Sequence, residues 1–551
     1  MELDRRALLR LSSGTGLAAV VTAALPFALP GAAPAAAAAA RGAVGVRQLR
    51  GMWVASVGNM DWPMAQGLSA AQQKKQFTTL LDLAQGLRLN AIVSQVRPAA
   101  DTFWPSKLEP WSQYLTGVQG RSPGYDPLQF QIAQTHARGM EFHAWINPFR
   151  VSTQSKLSAL SKGHPARKHP DWVYEFNGGL YYNPGIPAVR AHVSAVVMEI
   201  VAHYDIDAIH FDDYFYPYPV DGKKVADAKA HAAHGKGASL GSWRRANIDA
   251  FVKGMGEQIH RKKPAVKFGI SPFGIWRNRS SDRNGSKTGG TESYSANYAD
   301  TRKWVKSGWV DYIAPQLYWA NGDRAADYAT LAAWWADVVK GTKVSLYIGQ
   351  AAYKVSGGEF RKAGELAAHV AQDAKIPQIT GELLFSAQDV KRDPKGAIGT
   401  LRSGAFALPA LPPVNRARGR RAPVAPAGVR AAAQGSAVKV SWTGGNATWF
   451  AIWRTKGRAV TAADTADARN LVAVVHSTGR GVNAFSDRHP AKGGQYAVTG
   501  YDRLWNQSGL GSPTAAKRRA AAEGGARDGG TTMSGGADSQ APSLSGGVSQ
   551  P

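Results

Sequence analysis

The sequence predicts an α/β chain, a (β/α)8 TIM barrel followed by a small all-β sandwich. Three observations carry this. Eight short apolar runs alternate with amphipathic helical patterns between residues 47 and 408. A stretch rich in Pro, Arg and Ala follows at 409–426, and helix-free alternation then fills 427–514. The apolar runs are 51–56, 91–96, 141–146, 208–211, 267–270, 312–317, 344–349 and 382–385. Helical patterns between them include 71–87, 127–138, 188–204 and 243–260. Strands that alternate with helices build a parallel sheet, and eight such units close a barrel. An open doubly wound sheet is the alternative, but no Gly-rich phosphate loop follows the first run.

The stretch at 409–426 reads as a linker. Beyond it, alternating runs at 437–442, 449–454, 471–476 and 495–501 are separated by turn residues. They read as a β-sandwich that resembles a fibronectin type III module. The final segment, 515–551, is Gly, Ser, Ala and charge, and is expected to be disordered. At the other end, Arg5 and Arg6 precede an apolar stretch at 17–29 and an Ala run at 35–40. This is the pattern of a secretory signal over 1–40, and the Arg pair resembles the twin-arginine type. A membrane anchor is the other reading, and Pro26, Pro30 and Pro34 interrupt it. No later segment is long and apolar enough to span a bilayer, so the chain after signal cleavage is expected to be secreted, extracellular or wall-associated.

Composition narrows the chemistry. At 551 residues, 44% hydrophobic and 9% aromatic, the chain has material for sizeable cores and is not wholly disordered. Cys is absent, which excludes disulfides, thiolate metal sites and a Cys nucleophile. The net charge of +27 admits an anionic partner: an acidic wall polymer, a membrane surface or nucleic acid. An Arg-rich composition also follows from a GC-rich genome. Export argues against nucleic acid and leaves anionic cell-wall polymers as the partner that suits the charge.

Barrel chemistry sits where strands end, on the C-terminal face. Side chains alternate along a strand, so in 209–213 the apolar Ile209 and Phe211 face the helices while His210 and Asp212 point inward. Asp213 follows, in a loop with Tyr214 and Tyr216. Other strand ends repeat the pattern: Gln95 and Arg97 with Asp101 beyond; His143, Trp145 and Asn147; Gln316 and Tyr318 with Trp319. Each pair alone is ordinary structural hydrogen bonding; converging on one rim, they make a polar binding site. Aromatics crowd the same loops, among them Trp104, Trp111, Tyr181, Tyr182 and Trp276. Rings beside amides, Arg and carboxylates suit a glycan, whose C–H faces pack on rings while its hydroxyls take hydrogen bonds. A metal site from His203, His210, Asp212 and Asp213 is the weaker reading, and neither a metal nor another cofactor is expected. No Gly-x-Ser-x-Gly elbow occurs.

These residues also carry a family resemblance. Arg50-Gly51-Met52-Trp53-Val54, Gln95-Val96-Arg97-Pro98, Glu109-Pro110-Trp111-Ser112 and Tyr125-Asp126-Pro127-Leu128 come first. Ala144-Trp145-Ile146-Asn147-Pro148, Asn183-Pro184-Gly185 and Phe211-Asp212-Asp213-Tyr214-Phe215-Tyr216-Pro217 follow. Ser271-Pro272-Phe273-Gly274 and Gln316-Leu317-Tyr318-Trp319 complete the set. Over residues 48–381 it resembles the glycosyl-hydrolase-like 10 family. The resemblance implies a TIM-barrel glycoside hydrolase of the bacterial envelope, similar to enzymes that cut peptidoglycan strands stripped of their peptides.

Glycoside hydrolysis ordinarily takes two carboxyl groups across the scissile bond. Asp212, inward on the fourth strand, is the candidate nucleophile or base. Candidates for the acid are Asp213, ranked first, then Asp101 and Glu109; no Glu follows the fifth strand. Arg97, Asp101, Trp145, Asn147, His210, Tyr214, Tyr216, Gln316, Tyr318 and Trp319 are the candidate substrate contacts. The competing reading is a carbohydrate-binding barrel without catalysis.

Overall fold

The computed structural model describes residues 45–419, 421–479, 481–511 and 514–517; the expected signal at 1–40 and the tail beyond 517 lie outside them. Eight parallel strands close into a barrel: β1 (Leu49–Val54), β2 (Ala91–Arg97), β3 (Glu141–Ile146), β4 (Ala208–Phe211), β5 (Lys267–Ile270), β6 (Tyr312–Ile313), β7 (Ser345–Ala351) and β8 (Ile379–Phe385). Each strand pairs with its neighbours in sequence, and β8 closes on β1 with Leu49 opposite Gly381. The outer ring is α1 (Ala70–Gly86), α2 (Pro127–His136), α3 (Pro187–His203), α4 (Leu240–Lys262), α5 (Thr301–Lys306), α6 (Tyr328–Val339), α7 (Glu365–Asp373) and α8 (Ala397–Ser403).

Local chemistry starts these helices. Ser69 and Gln72 form a reciprocal capping box on α1. Asp126 caps α2, with Pro127 at the first helical position. On α4 the buried stripe Ile248, Phe251, Val252, Met255 and Ile259 has the 3.6-residue period of a core-facing helix. Phe211 of β4 stacks on Phe251 with centroids 5.6 Å apart, so the outward parity of Phe211 is observed directly. Inside, the Tyr312 ring fills the axis. A Cβ on Gly269 of β5 would lie 2.0 Å from that ring, so this strand position needs a residue without a side chain. Strand β6 is shorter than the predicted 312–317. Pro315 has no N–H to donate, and pairing resumes only as isolated bridges from Gln316 to Phe273 and Gly349.

The C-terminal unit contains β9 (Ala427–Gln434), β10 (Ala437–Thr443), β11 (Trp449–Lys456), β12 (Leu471–His476), β13 (Val482–Asp487), β14 (Gly494–Tyr501), β15 (Gln507–Leu510) and β16 (Thr514–Lys517). The pairs are antiparallel except β9 with β16. The last strand runs to Lys517, past the expected boundary at 514, because its backbone pairs with β9 and β14. Strand β11 is buried on both faces. Phe450 and Ile452 pack with Val440, Trp442 and Val498, whereas Trp449, Ala451 and Trp453 pack with Trp505, Leu411 and Val46.

That second face joins the C-terminal unit to the barrel. The start of the segment read as a linker is packed: Leu411 is buried, and Arg47 and Asn90 donate to the carbonyls of Pro412 and Ala410. Three buried carboxylates at the N-terminal ends of barrel strands take donors from beyond residue 409. Trp505 Nε1 donates to Glu141 (2.6 Å), Arg503 Nη1 to Asp207 (2.6 Å) and Arg418 Nε to Asp311 (2.8 Å). Replacing Trp505 with Phe keeps an aromatic ring but removes the pyrrole half of the indole, and with it one donor from a buried carboxylate. The expected cost is about 1–3 kcal/mol, read as a lower urea midpoint; an unchanged midpoint would show that water replaces the donor.

Candidate active site

Asp212 lies one residue past β4, at the C-terminal end of the barrel. Trp145 Nε1 and Asn147 Nδ2 each donate to its Oδ2 at 3.1 Å, and the Tyr214 N–H donates to Oδ1 at 3.2 Å. All three are N–H donors, so the carboxyl oxygens accept each of these bonds. The ladder brings these groups together, since Trp145 stands opposite His210 in the β3–β4 register. Asn147 is oriented from both sides, because its Oδ1 accepts the Arg150 N–H at 2.9 Å while Nδ2 faces Asp212.

Below Asp212 a hydrogen-bonded column descends the barrel axis. Trp53 Nε1 lies 3.2 Å from His210 Nε2, and indole N–H is only a donor, so Nε2 accepts and Nδ1 carries the proton. His210 Nδ1 then donates to Tyr312 Oη (2.9 Å), Tyr312 to His143 Nδ1 (3.0 Å), and His143 Nε2 to Glu141 (3.0 Å). Burial lowers the His143 imidazole below its ordinary range despite the opposing pull of Glu141, so it stays neutral in this chain of bonds.

Several predicted contacts have partners within the protein. Arg97 is fully buried; its guanidinium forms a fork with Glu109 (2.7 and 2.6 Å) and donates to the carbonyls of Asn147 and Pro148. It therefore supports the loop carrying Asn147 instead of facing a sugar. His210 belongs to the column, both ring nitrogens engaged. Tyr216 is 1% exposed and packs edge-on against Tyr298. Trp104 is also buried, donating to Glu199. Gln316 Nε2 donates to the Ser271 carbonyl, and Tyr318 stacks on Phe385. Trp319 sets its ring edge-on to Phe273. Among the described residues, His203, His210, Asp212 and Asp213 are not gathered into one cation-binding cluster.

The carboxyl candidates separate by environment. Burial opposes the charge of Glu109, but Arg97 and His192 outweigh it and hold the carboxyl down at about 2, so it has no proton to give near neutrality. Asp101 is the reverse. Burial pushes it up to about 7 against bonds from Gln119 and Ser112, and its buried Oδ1 has no hydrogen-bond partner. Asp213 Oδ2 accepts the Tyr218 hydroxyl. One residue escaped sequence reasoning. Arg150 places its guanidinium 4.4 Å over the Tyr214 ring. Burial works against its charge, but Tyr214, Tyr181 and Asp212 together raise it above its ordinary value. It stands beyond the end of β3, where strand parity gives no signal.

The Asp101 shift fixes a pH dependence. Its carboxyl binds a proton in the folded chain up to about pH 7 but releases it near pH 4 when unfolded. Its contribution therefore falls as pH rises from about 4 to 7, then levels. An Asp101→Asn variant, with no proton to lose, is expected to match the parent melting midpoint near pH 4 and exceed it at pH 8. A variant destabilised equally at both pH values would show an ionised Asp101.

Comparison with known proteins gives the family. The chain is 42% identical over 478 residues to "Glycosyl hydrolase YngK" of Bacillus subtilis (strain 168), covering 84% of this chain and 92% of that protein. It is 40% identical over 364 residues to "Glycosyl hydrolase DigH" of Escherichia coli (strain K12), covering 61% and 82%. Among solved structures, the PgaB (BpsB) glycoside hydrolase domain of Bordetella bronchiseptica aligns with TM-score 0.43 and 11% identity, over 65% of this chain and 98% of that one. The profile of the family described as Glycosyl hydrolase-like 10 matches residues 48–363, the greater part of the barrel, and the chain belongs to that family.

Proposed function

We propose that the chain is a secreted glycoside hydrolase that cleaves a cell-envelope glycan, namely peptidoglycan strands freed of their peptides. One observation carries the reading: Asp212 stands at the C-terminal end of β4, held by Trp145, Asn147 and the Tyr214 N–H. Family membership supports the reaction class, and both relatives are named glycosyl hydrolases.

In this mechanism Asp212 supplies negative charge at the anomeric carbon, as nucleophile or as base toward water. The leaving oxygen must take a proton from a second carboxyl. Asp213, on the same loop, is the first assignment; the raised Asp101 supports a second, because a carboxyl near 7 keeps a proton to donate. Tyr214, Gln316, Tyr318 and Trp319 line the sugar path, and Arg150 offers a cation to an acidic substituent. The twin-arginine-type signal would export the folded chain, the fibronectin type III-like unit would act as spacer, and the basic surface would dock on anionic wall polymers. The non-catalytic binding barrel remains the second reading, because the acid has two claimants.

Digestion of peptide-free glycan strands, followed by mass spectrometry, tests the first reading. The parent chain is expected to release muro-oligosaccharides and Asp212→Asn to release none while still binding strands. Binding without products from the parent would favour the second reading.

The acid is identified separately. Its replacement by Asn is expected to lower turnover of native glycan by about 10²–10⁴-fold. Activity on an aryl glycoside, whose leaving group needs no proton, should be largely spared. Asp213→Asn and Asp101→Asn are compared on both substrates; the variant with the split behaviour marks the acid, and equal losses on both substrates would exclude that residue.

A further inference from the structure

At the end of the barrel opposite Asp212, we propose a binding site for one divalent transition-metal ion of the zinc class, formed by His136, Asp205 and His476 and bridging the barrel to the C-terminal unit. One ligand atom from each lies within 4.8 Å of the other two. His136 is the last residue of α2, Asp205 precedes β4, and His476 ends β12.

Each group keeps one atom for a structural partner and another for the site. His136 Nε2 is 2.9 Å from Asp207 Oδ2, and that carboxylate also accepts the Phe142 N–H. The bond fixes the proton on Nε2 and leaves the Nδ1 lone pair 3.9 Å from Asp205 Oδ2. A carboxylate behind an imidazole in this way is the usual support of a metal-binding His. Asp205 has its Oδ1 on Arg503, so Oδ2 is the oxygen turned to His136. The His476 ring stacks on His136 at 4.4 Å and 16°, and its buried Nε2 has no hydrogen-bond partner. Trp449 stands edge-on to both rings, at 5.4 and 4.6 Å, and fixes the stack.

The donor set selects the ion. Two imidazoles and one carboxylate suit zinc-like metals, whereas magnesium and calcium take oxygen ligands. Bonds of about 2.0–2.2 Å in tetrahedral geometry put ligand atoms roughly 3.3–3.5 Å apart. Closing from within 4.8 Å to that spacing requires all three side chains to turn toward one point, and Asp205, 58% exposed, has the most room to do so. Three protein ligands leave the fourth position to water. Joining α2 and the β4 approach to β12, the ion would act as a clip on the interface already made by Arg503 and Trp505.

The test uses the tag-free chain with Zn²⁺ as the probe. Bound zinc is measured by elemental mass spectrometry after gel filtration, and thermal midpoints are compared with Zn²⁺ and with EDTA. One equivalent of zinc and a midpoint raised by at least about 2 °C are expected. His476→Gln and Asp205→Asn, both at the edge of the interface, should each weaken zinc binding at least about 10-fold and abolish the shift. His489→Gln, outside the cluster, should keep both. Absence of bound zinc in the parent chain overturns the proposal. Undiminished zinc and midpoint shift in both cluster variants also overturns it, since the ion would then sit on other imidazoles.

Discussion

Glu141 lies at the floor of the barrel, wholly buried, and three elements converge on its carboxylate. Lys267 reaches across from β5, His143 stands two residues along the same strand, and Trp505 arrives from the C-terminal unit. Burial alone would raise the carboxyl, but the Lys267 ammonium and the His143 bond outweigh it and hold it below its ordinary range. An ion taken out of water costs several kcal/mol unless its partners are in place. Asp207 and Asp311 set the same requirement at the starts of β4 and β6, and again part of the answer, Arg503 and Arg418, comes from beyond the barrel. The C-terminal unit is therefore part of what allows the barrel to close on these charges, and the packed segment around Leu411 follows from that.

The same floor fixes the site from below. With Glu141 ionised, His143 presents its Nε2 proton downward, Tyr312 donates to His143, and His210 donates to Tyr312. Reversing any one bond would leave a buried donor facing a donor. The column thus locks the His210 ring, whose register partner on β3 is Trp145, itself a donor to Asp212. Strand β3 places Trp145, and the short turns past β3 and β4 place Asn147 and Tyr214, while the longer loops carry other aromatics. This is the division of labour that lets one barrel scaffold hold many sites.

Much of this was legible in the sequence. Strands β3, β4 and β5 begin and end where hydrophobicity puts them, and parity alone placed His210 and Asp212 inward. Parity could not say how far inward. His210 and Arg97 look alike as polar residues at strand ends, yet both are consumed by buried partners, one by Tyr312 and the other by Glu109. The partner in each case is distant in sequence, 102 and 12 residues away, and single-strand patterns contain no such term. Arg150 was missed for the complementary reason: it follows a loop, where no periodicity constrains direction. Strands β9, β13, β15 and β16 were also missed, because small and polar residues dominate them and backbone pairing with their neighbours, not hydrophobic content, makes them strands.

The carboxyls near the C-terminal end of the barrel show how one type of side chain acquires different environments. Glu109 and Asp101 are both buried, so desolvation disfavours charge on each. Arg97 and His192 reverse that for Glu109, while Asp101, with neutral partners and one oxygen unpaired, is left to keep its proton. Asp212 accepts N–H donors from Trp145, Asn147 and Tyr214, and its charge and that of Arg150 act on each other. A glycosidase needs this kind of asymmetry, one carboxyl kept as acceptor and another kept protonated, because two identical carboxylates could not both give and receive. Glu109 therefore belongs to the framework whichever residue proves to be the acid. Its charge anchors Arg97, Arg97 carries the Asn147 loop, and Asn147 holds Asp212; neutralising Glu109 would disturb the site through geometry without removing any group from the reaction.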